Sequence, residues 1–372
     1  MIEVTGQAQA DAWRKHIMPP VEKLRDGLWS IPVPLPSVLR YVLVYVLESP
    51  DGVAVIDAGW GTDEAWQAFH LGLGQTGHTI DDVGAILITH AHMDHYGLAA
   101  RVREASGAWI GLHEQEAAHL PRRRGDATSI VASIRRWLLA GGVPTDEVDE
   151  LAGAPERVET LMALPEPDVL LRHGERVDVR GWDLRPVWTP GHTPGHLCFH
   201  DAVRDVFFSG DHVLPRISPN ISAFAGGLAN PLALFLDSLS AVVRFDSAEV
   251  LPAHEYRFRG LADRVDDLRH HHDARLAEVL DVVRANPGLT TFATAARLTW
   301  SRDWSENRGF VRRSAIGETL AHLALLEHQG RLRRVSAMPD RWLAAEAPDA
   351  VNDAAQFATA AATDPGPAPT ET

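Results

Sequence analysis

Residues 89–95, Thr-His-Ala-His-Met-Asp-His, constrain this chain more than any other stretch. They follow the apolar run Ala85-Ile86-Leu87-Ile88, a strand by its pattern, and precede Tyr96-Gly97-Leu98-Ala99-Ala100, where a helix is expected to begin. Three imidazoles and a carboxylate packed together at a strand's end make a poor core and a good metal site. On an extended backbone His90 and His92, two residues apart, project to one side and can grip one ion. Asp94 and His95 lie where the chain turns and can reach a second ion close by. Zinc suits these donors, and iron or manganese would suit them too.

Three later stretches repeat the design. Thr189-Pro190-Gly191-His192-Thr193-Pro194-Gly195-His196 follows a strand ending at Trp188, and its prolines and glycines force a tight turn that holds His192. Ser209-Gly210-Asp211 follows another apolar strand and presents a carboxylate. Leu251-Pro252-Ala253-His254 does the same with a histidine. Four strand ends thus each offer metal ligands, a constellation rather than a motif.

The rest of the pattern is that of an α+β protein. An edge strand broken by prolines is expected at 28–33, then a hairpin of buried strands at 39–47 and 53–56. Thr62 can cap a helix reaching about residue 73, and further helices are expected near 98–105 and from Glu114. Residues 121–167 depart from this rhythm but contain an amphipathic piece at 130–139, read either as a lid or substrate wall or as a solvated spacer. The β pattern resumes at Asp168 and closes near residue 259, with a helix at 232–244. Two strand-rich halves with helices imply two sheets packed face to face with helices outside. Residues 1–26 read as an N-terminal arm. From 260 to 340 three helices and a strand give the pattern of a winged-helix module, with His270-His271-His272 on a solvated helix surface. Residues 341–372 read as a disordered tail.

The 372-residue chain has 35 basic and 50 acidic residues, and a formal net charge of −15 disfavours nucleic acid or an anionic membrane as partner. Arg122-Arg123-Arg124 is a local basic patch against that trend. The single cysteine, Cys198, sits in an apolar strand and reads as an inert core thiol. With no disulfide pair, no signal-peptide pattern and no membrane-spanning run, a cytoplasmic protein is expected.

By its His-x-His-x-Asp-His run and the three later elements, the chain resembles the metallo-β-lactamase superfamily over about residues 27–259. The resemblance implies a four-layer αββα sandwich with the site on one edge between the sheets. It also implies a ligand set: His90, His92 and His192 on one ion, Asp94, His95 and His254 on the other, and Asp211 bridging. Asp57, in Ile56-Asp57-Ala58-Gly59, would orient ligands, and His196 would either support the site or be a satisfied strand histidine. The intact set resembles the glyoxalase II, thioesterase and nuclease branches more than the secreted lactamases. Lactonase is weakened because His212-Val213-Leu214 follows Asp211 without a tyrosine.

The expected function is a dinuclear hydrolase holding two zinc ions. A bridging hydroxide, oriented by Asp94 and Asp211 as the catalytic carboxylates, would cleave an ester or thioester of a small acyl substrate. Apolar walls are expected from Ile217, Ile221, Phe224 and Leu228. Tyr96, His212, Arg216 and Tyr256 are candidates for the substrate and leaving group. An endoribonuclease or phosphodiesterase using the same ions is the alternative, favoured by Arg331, Arg333 and Arg334. A non-catalytic regulatory protein is the third reading, and the C-terminal module could make a homodimer.

Overall fold

The first strands of the chain enter two different sheets. In the computed structural model, which describes residues 1–120, 126–154, 159, 163–224 and 226–345, β1 (Glu3–Val4) pairs far downstream, with Glu3 opposite Arg259. β2 (Glu22–Arg25) and β3 (Leu28–Pro34) instead open a seven-stranded sheet. That sheet continues in sequence order through β4 (Tyr41–Ser49), β5 (Gly52–Ile56), β6 (Val83–Leu87), β7 (Trp109–His113) and β8 (Val169–Leu171). β2 to β5 are antiparallel neighbours, whereas β5 to β8 run parallel. The second sheet adds β9 (Leu184–Trp188), β10 (Leu197–Asp201), β11 (Val206–Gly210), β12 (Glu249–Pro252) and β13 (Phe258–Arg259) to β1, in the order β1-β13-β12-β11-β10-β9.

β4 is apolar throughout because both of its faces are covered. Tyr41, Leu43, Tyr45 and Leu47 point between the sheets, where they meet Phe199, Phe208 and Leu251 of the second sheet. Val42, Val44 and Val46 point outward onto the layer that contains Phe69 and Leu73 of the helix Asp63–Thr76. The second sheet divides in the same way: Phe208 faces the sandwich interior, while Phe207 and Cys198 face the helices Pro231–Val242 and Leu261–Ala285. Helix, sheet, sheet and helix follow in order, the αββα arrangement. Cys198 is fully buried, and burial pushes its thiol well above the ordinary range, as expected of an inert core thiol.

Several expectations need correction. β3 is interior, not an edge: β2 covers Leu28 to Ser30, and Pro32 and Pro34 lie beyond that pairing, where no amide proton is needed. Residues 1–26, expected as an N-terminal arm, give β1 to one sheet and β2 to the other, with the helix Gln7–Lys15 between them. β8 belongs to the first sheet, although the pattern grouped it with the second half.

Among the described residues of the insertion, the helices Ala127–Ala140 and Val148–Ala152 pack on the C-terminal helices rather than standing free. Leu138 meets Ile316 in that cluster, Glu147 pairs with Arg312, and Gly141 O accepts the Phe292 N–H at 2.9 Å. The C-terminal region comprises the helices Leu261–Ala285, Thr291–Ala295 and Gly309–His328, then a hairpin of β14 (Leu332–Val335) and β15 (Arg341–Ala344). Its Val279, Leu326 and Trp342 share a core with Phe207 and Val250 of the second sheet. β15 lies within the stretch expected to be disordered, and residues 346–372 of that tail, like Arg122 to Arg124, are outside the described residues. Of the histidine triplet, His270 and His271 are exposed, but His272 is buried between Phe235 and His322.

Candidate metal centre

β9, β11 and β12 point the same way, so their C-terminal ends meet at one sheet edge, opposite the loop that follows β6. Close backbone contacts hold the ends there. Gly210 adopts φ +51°, and a Cβ at this position would lie 2.8 Å from His196 Nε2. Asp57 itself takes a left-handed φ of 62°, a conformation that a short acidic side chain tolerates.

The side chains converge as two trios around Asp211. His92 Nδ1 lies 2.8 Å from His90 Nε2 and 3.1 Å from His192 Nε2. Asp94 Oδ2 lies 3.7 Å from His95 Nε2 and 3.4 Å from His254 Nε2. Asp211 stands between them, with Oδ2 3.6 Å from both His192 Nε2 and His95 Nε2, and Oδ1 3.3 Å from His254 Nε2. Within each trio the donor atoms lie within 4.8 Å of one another, close enough to hold one ion.

The proton positions follow from what lies behind each ring. His192 Nδ1 donates to Asn220 O at 2.9 Å, His254 Nδ1 to Tyr41 O at 2.9 Å, and His95 Nδ1 to Asp57 Oδ2 at 2.7 Å. Each acceptor fixes the proton on Nδ1 and leaves the Nε2 lone pair facing inward. Thr89 completes the set: its hydroxyl donates to Asp57 at 3.0 Å, so the same oxygen accepts from His90 Nδ1, also at 3.0 Å. Asp57 thereby organises His90 and His95 together. His95 Nε2, His254 Nε2 and Asp211 Oδ1 are buried without a hydrogen-bond partner, an arrangement costly unless a cation takes those lone pairs.

The charges agree. Burial, reinforced by His95 and His92, holds His90 neutral well below the usual histidine range. Burial acts the same way on His95 and His254, but Asp94, Asp57 and Asp211 outweigh it at His95, and Asp211 and Asp94 at His254, raising both. Burial opposes ionisation of Asp94 and Asp211, yet His95 and His254 pull both carboxyls below their usual range. Two ionised carboxylates among inward lone pairs fit a pair of divalent cations, which would displace the shared protons.

The other sequence candidates fall elsewhere. His196 is buried and supports: its Nε2 accepts the Asp211 N–H at 3.1 Å, and Nδ1 meets Thr189 Oγ1 at 2.8 Å. Tyr96 is fully buried and its hydroxyl donates to Pro165 O, because the turn after Asp94 swings it into the core. His212 is also fully buried, its ring against Phe235 and His196, and burial pushes it down to about 3. Arg216 is exposed and its amide donates to Glu255. Tyr256 is 9% exposed. Of the expected apolar wall, Ile221 is in the core, while the Phe224 ring is 40% exposed and lies 5.7 Å from Trp137 of the insertion. A buried carboxylate absent from the sequence reading, Glu116, joins the His90 and His192 loops.

A family model for the metallo-beta-lactamase superfamily matches residues 38–254, a span containing every residue of both trios. The chain belongs to the metallo-beta-lactamase superfamily. It is 25% identical over 268 residues to the probable metallo-hydrolase YqjP of Bacillus subtilis, covering 67% of this chain and 82% of that protein. The crystal structure of a metallo-beta-lactamase family protein, TTHA1429 of Thermus thermophilus, superposes with a TM-score of 0.76 at 32% identity, covering 87% of this chain and 100% of that one. A beta-lactamase domain protein from Burkholderia ambifaria gives 0.73 at 26% identity, covering 92% and 97%. Superfamily, fold and clusters of His and Asp donors that could hold metal ions together make this chain a metal-dependent hydrolase. Among the described residues no helix is long and apolar enough to cross a membrane.

Proposed function

We propose that this hydrolase holds two zinc ions and cleaves the ester or thioester bond of a small acyl substrate. The observation that carries the reading is the convergence of two trios of donors on Asp211, with their ring protons turned outward. His90, His92 and His192 would hold one ion, Asp94, His95 and His254 the other, and Asp211 would lie between them. Ions bound there would supply Lewis acidity and acidify a coordinated water. Asp94 and Asp211, ionised at neutral pH, would accept hydrogen bonds from the attacking water and orient it toward the carbonyl carbon.

The acyl preference is supported beside the site. Asn220, whose carbonyl fixes His192, begins a segment that leads through Ser222 to Phe224, and the exposed Phe224 ring packs near Trp137. An exposed aromatic surface four residues along the chain from the carbonyl that fixes His192 suits an apolar acyl chain better than a polyanion, as does the net charge of −15. The basic cluster that would favour RNA is partly neutralised, since Arg334 lies 3.8 Å from both Glu327 and Asp340. The test is a hydrolysis panel of zinc-loaded protein against thioesters, esters, lactones and phosphodiesters. Turnover of acyl thioesters or esters is expected; cleavage of phosphodiesters alone would overturn the reading in favour of a nuclease.

A further inference from the structure

The two loops that bring His90, His92 and His192 together come from different sheets, and one buried carboxylate ties them to each other. Glu116 lies in the short helix Glu114–Ala118 directly after β7 and is 3% exposed. Its Oε1 accepts the Ala91 N–H at 2.8 Å, and its Oε2 accepts the Gly195 N–H at 2.7 Å. Ala91 is the residue between His90 and His92; Gly195 closes the turn that carries His192. The approach is so close that a Cβ at Gly195 would lie 2.3 Å from the Glu116 backbone nitrogen.

Hydrogen bonds from amides to a buried carboxylate are short and strong, and here each oxygen is committed to one loop. These two bonds of Glu116 go to main-chain amides and not to the rings of the trio, so its influence passes chiefly through the backbone that sets where the rings stand. We infer that Glu116 is a positioning residue for the ion held by His90, His92 and His192, bridging the two ligand loops at Ala91 and Gly195 beside the backbone bond from Leu197 N–H to Thr89 O at 2.8 Å. This rests on the two-ion reading given above. Asp57 acts by a different route, directly on the ring of His95 and through the Thr89 hydroxyl on that of His90.

Zinc titrations of the metal-free full chain, read by chelator competition, test the inference, with cobalt titrations followed by visible absorption as a second probe. Wild type should bind two ions in separable steps. In Glu116→Gln the carboxamide oxygen can still accept one amide, but its NH₂ group faces the other N–H. One binding step should therefore weaken about 10- to 100-fold while the other stays within about 3-fold. Glu116→Asp, which keeps the charge but cannot span both loops, should weaken the same step, and provides the answer if Glu116→Gln does not fold. A residue that merely stabilises the fold would lower the melting temperature of the metal-free protein and leave both zinc affinities alike. Two unchanged binding steps in a folded Glu116 variant overturn the inference and leave the two-ion reading intact. A wild-type chain that binds no zinc removes both.

Discussion

The two trios around Asp211 differ in composition, exposure and means of support. His90, His92 and His192 are all imidazoles, and His92 stands exposed at the rim. Asp94, His95 and His254 include a carboxylate, and both histidines are fully buried. The first trio is placed through main-chain contacts: the Asn220 carbonyl behind His192, and Glu116 holding the Ala91 and Gly195 amides. The second combines a side chain, Asp57 behind His95, with the Tyr41 carbonyl behind His254, and Asp57 also reaches His90 of the first trio through the Thr89 hydroxyl. Since Asp211 is common to both, the second trio brings more negative charge to its ion than the first. The buried trio is accordingly expected to hold its ion more tightly, and the rim trio to exchange more readily.

Asp211 is where the comparison can be broken outright. Asp211→Ala removes the oxygen shared by both trios and should abolish high-affinity binding of either ion, lowering kcat by at least roughly 100-fold. Metal content and steady-state kinetics measure this together, and retention of one tight ion would show that the trios are less interdependent than their geometry indicates.

A smaller change sharpens the comparison. In Asp57→Asn an NH₂ group faces His95 Nδ1, which must then give up its proton to Nε2 and lose the inward lone pair. The buried trio should lose about 10- to 100-fold in zinc affinity, with a lesser effect on His90 through Thr89. The pattern should mirror that of Glu116→Gln, so the two variants read by the same titration distinguish support by side chain from support by backbone.

The smallest expected effect lies outside both trios. Phe224→Ala removes a half-exposed ring and should raise KM for a long-chain acyl substrate roughly 5-fold while leaving a two-carbon acyl substrate nearly unaffected. Equal effects on both chain lengths, measured from initial rates, would take Phe224 out of the acyl wall.

What the sequence made legible was the chemistry at strand ends. Imidazoles and carboxylates directly after apolar runs at His90 to His95, His192, Asp211 and His254 have few other physical uses, and the continuous apolar stretch of β4 could only be a strand covered on both faces. What it hid depended on distant partners. Glu114 and Glu116 differ by two positions in one short helix, yet the first is exposed and the second is buried between ligand loops. No local pattern separates them. The polar β1 and β2 become strands only because Arg259 and Ser30 offer edges to pair with. The amphipathic helix Ala127–Ala140 displayed a face without naming its partner, which proved to be the C-terminal helices. Tyr96 and Ile221 misled for a related reason: proximity in sequence to Asp94 and Asp211 does not keep a side chain at the site when the next turn of backbone aims it into the core.

A crystal of the zinc-loaded protein, measured on both sides of the zinc absorption edge, would locate the ions without reference to activity. Two anomalous peaks are predicted, one among His90 Nε2, His92 Nδ1 and His192 Nε2, the other among Asp94, His95 and His254, with the Asp211 carboxylate between them. Peaks elsewhere, or none at these nitrogens, would contradict the account.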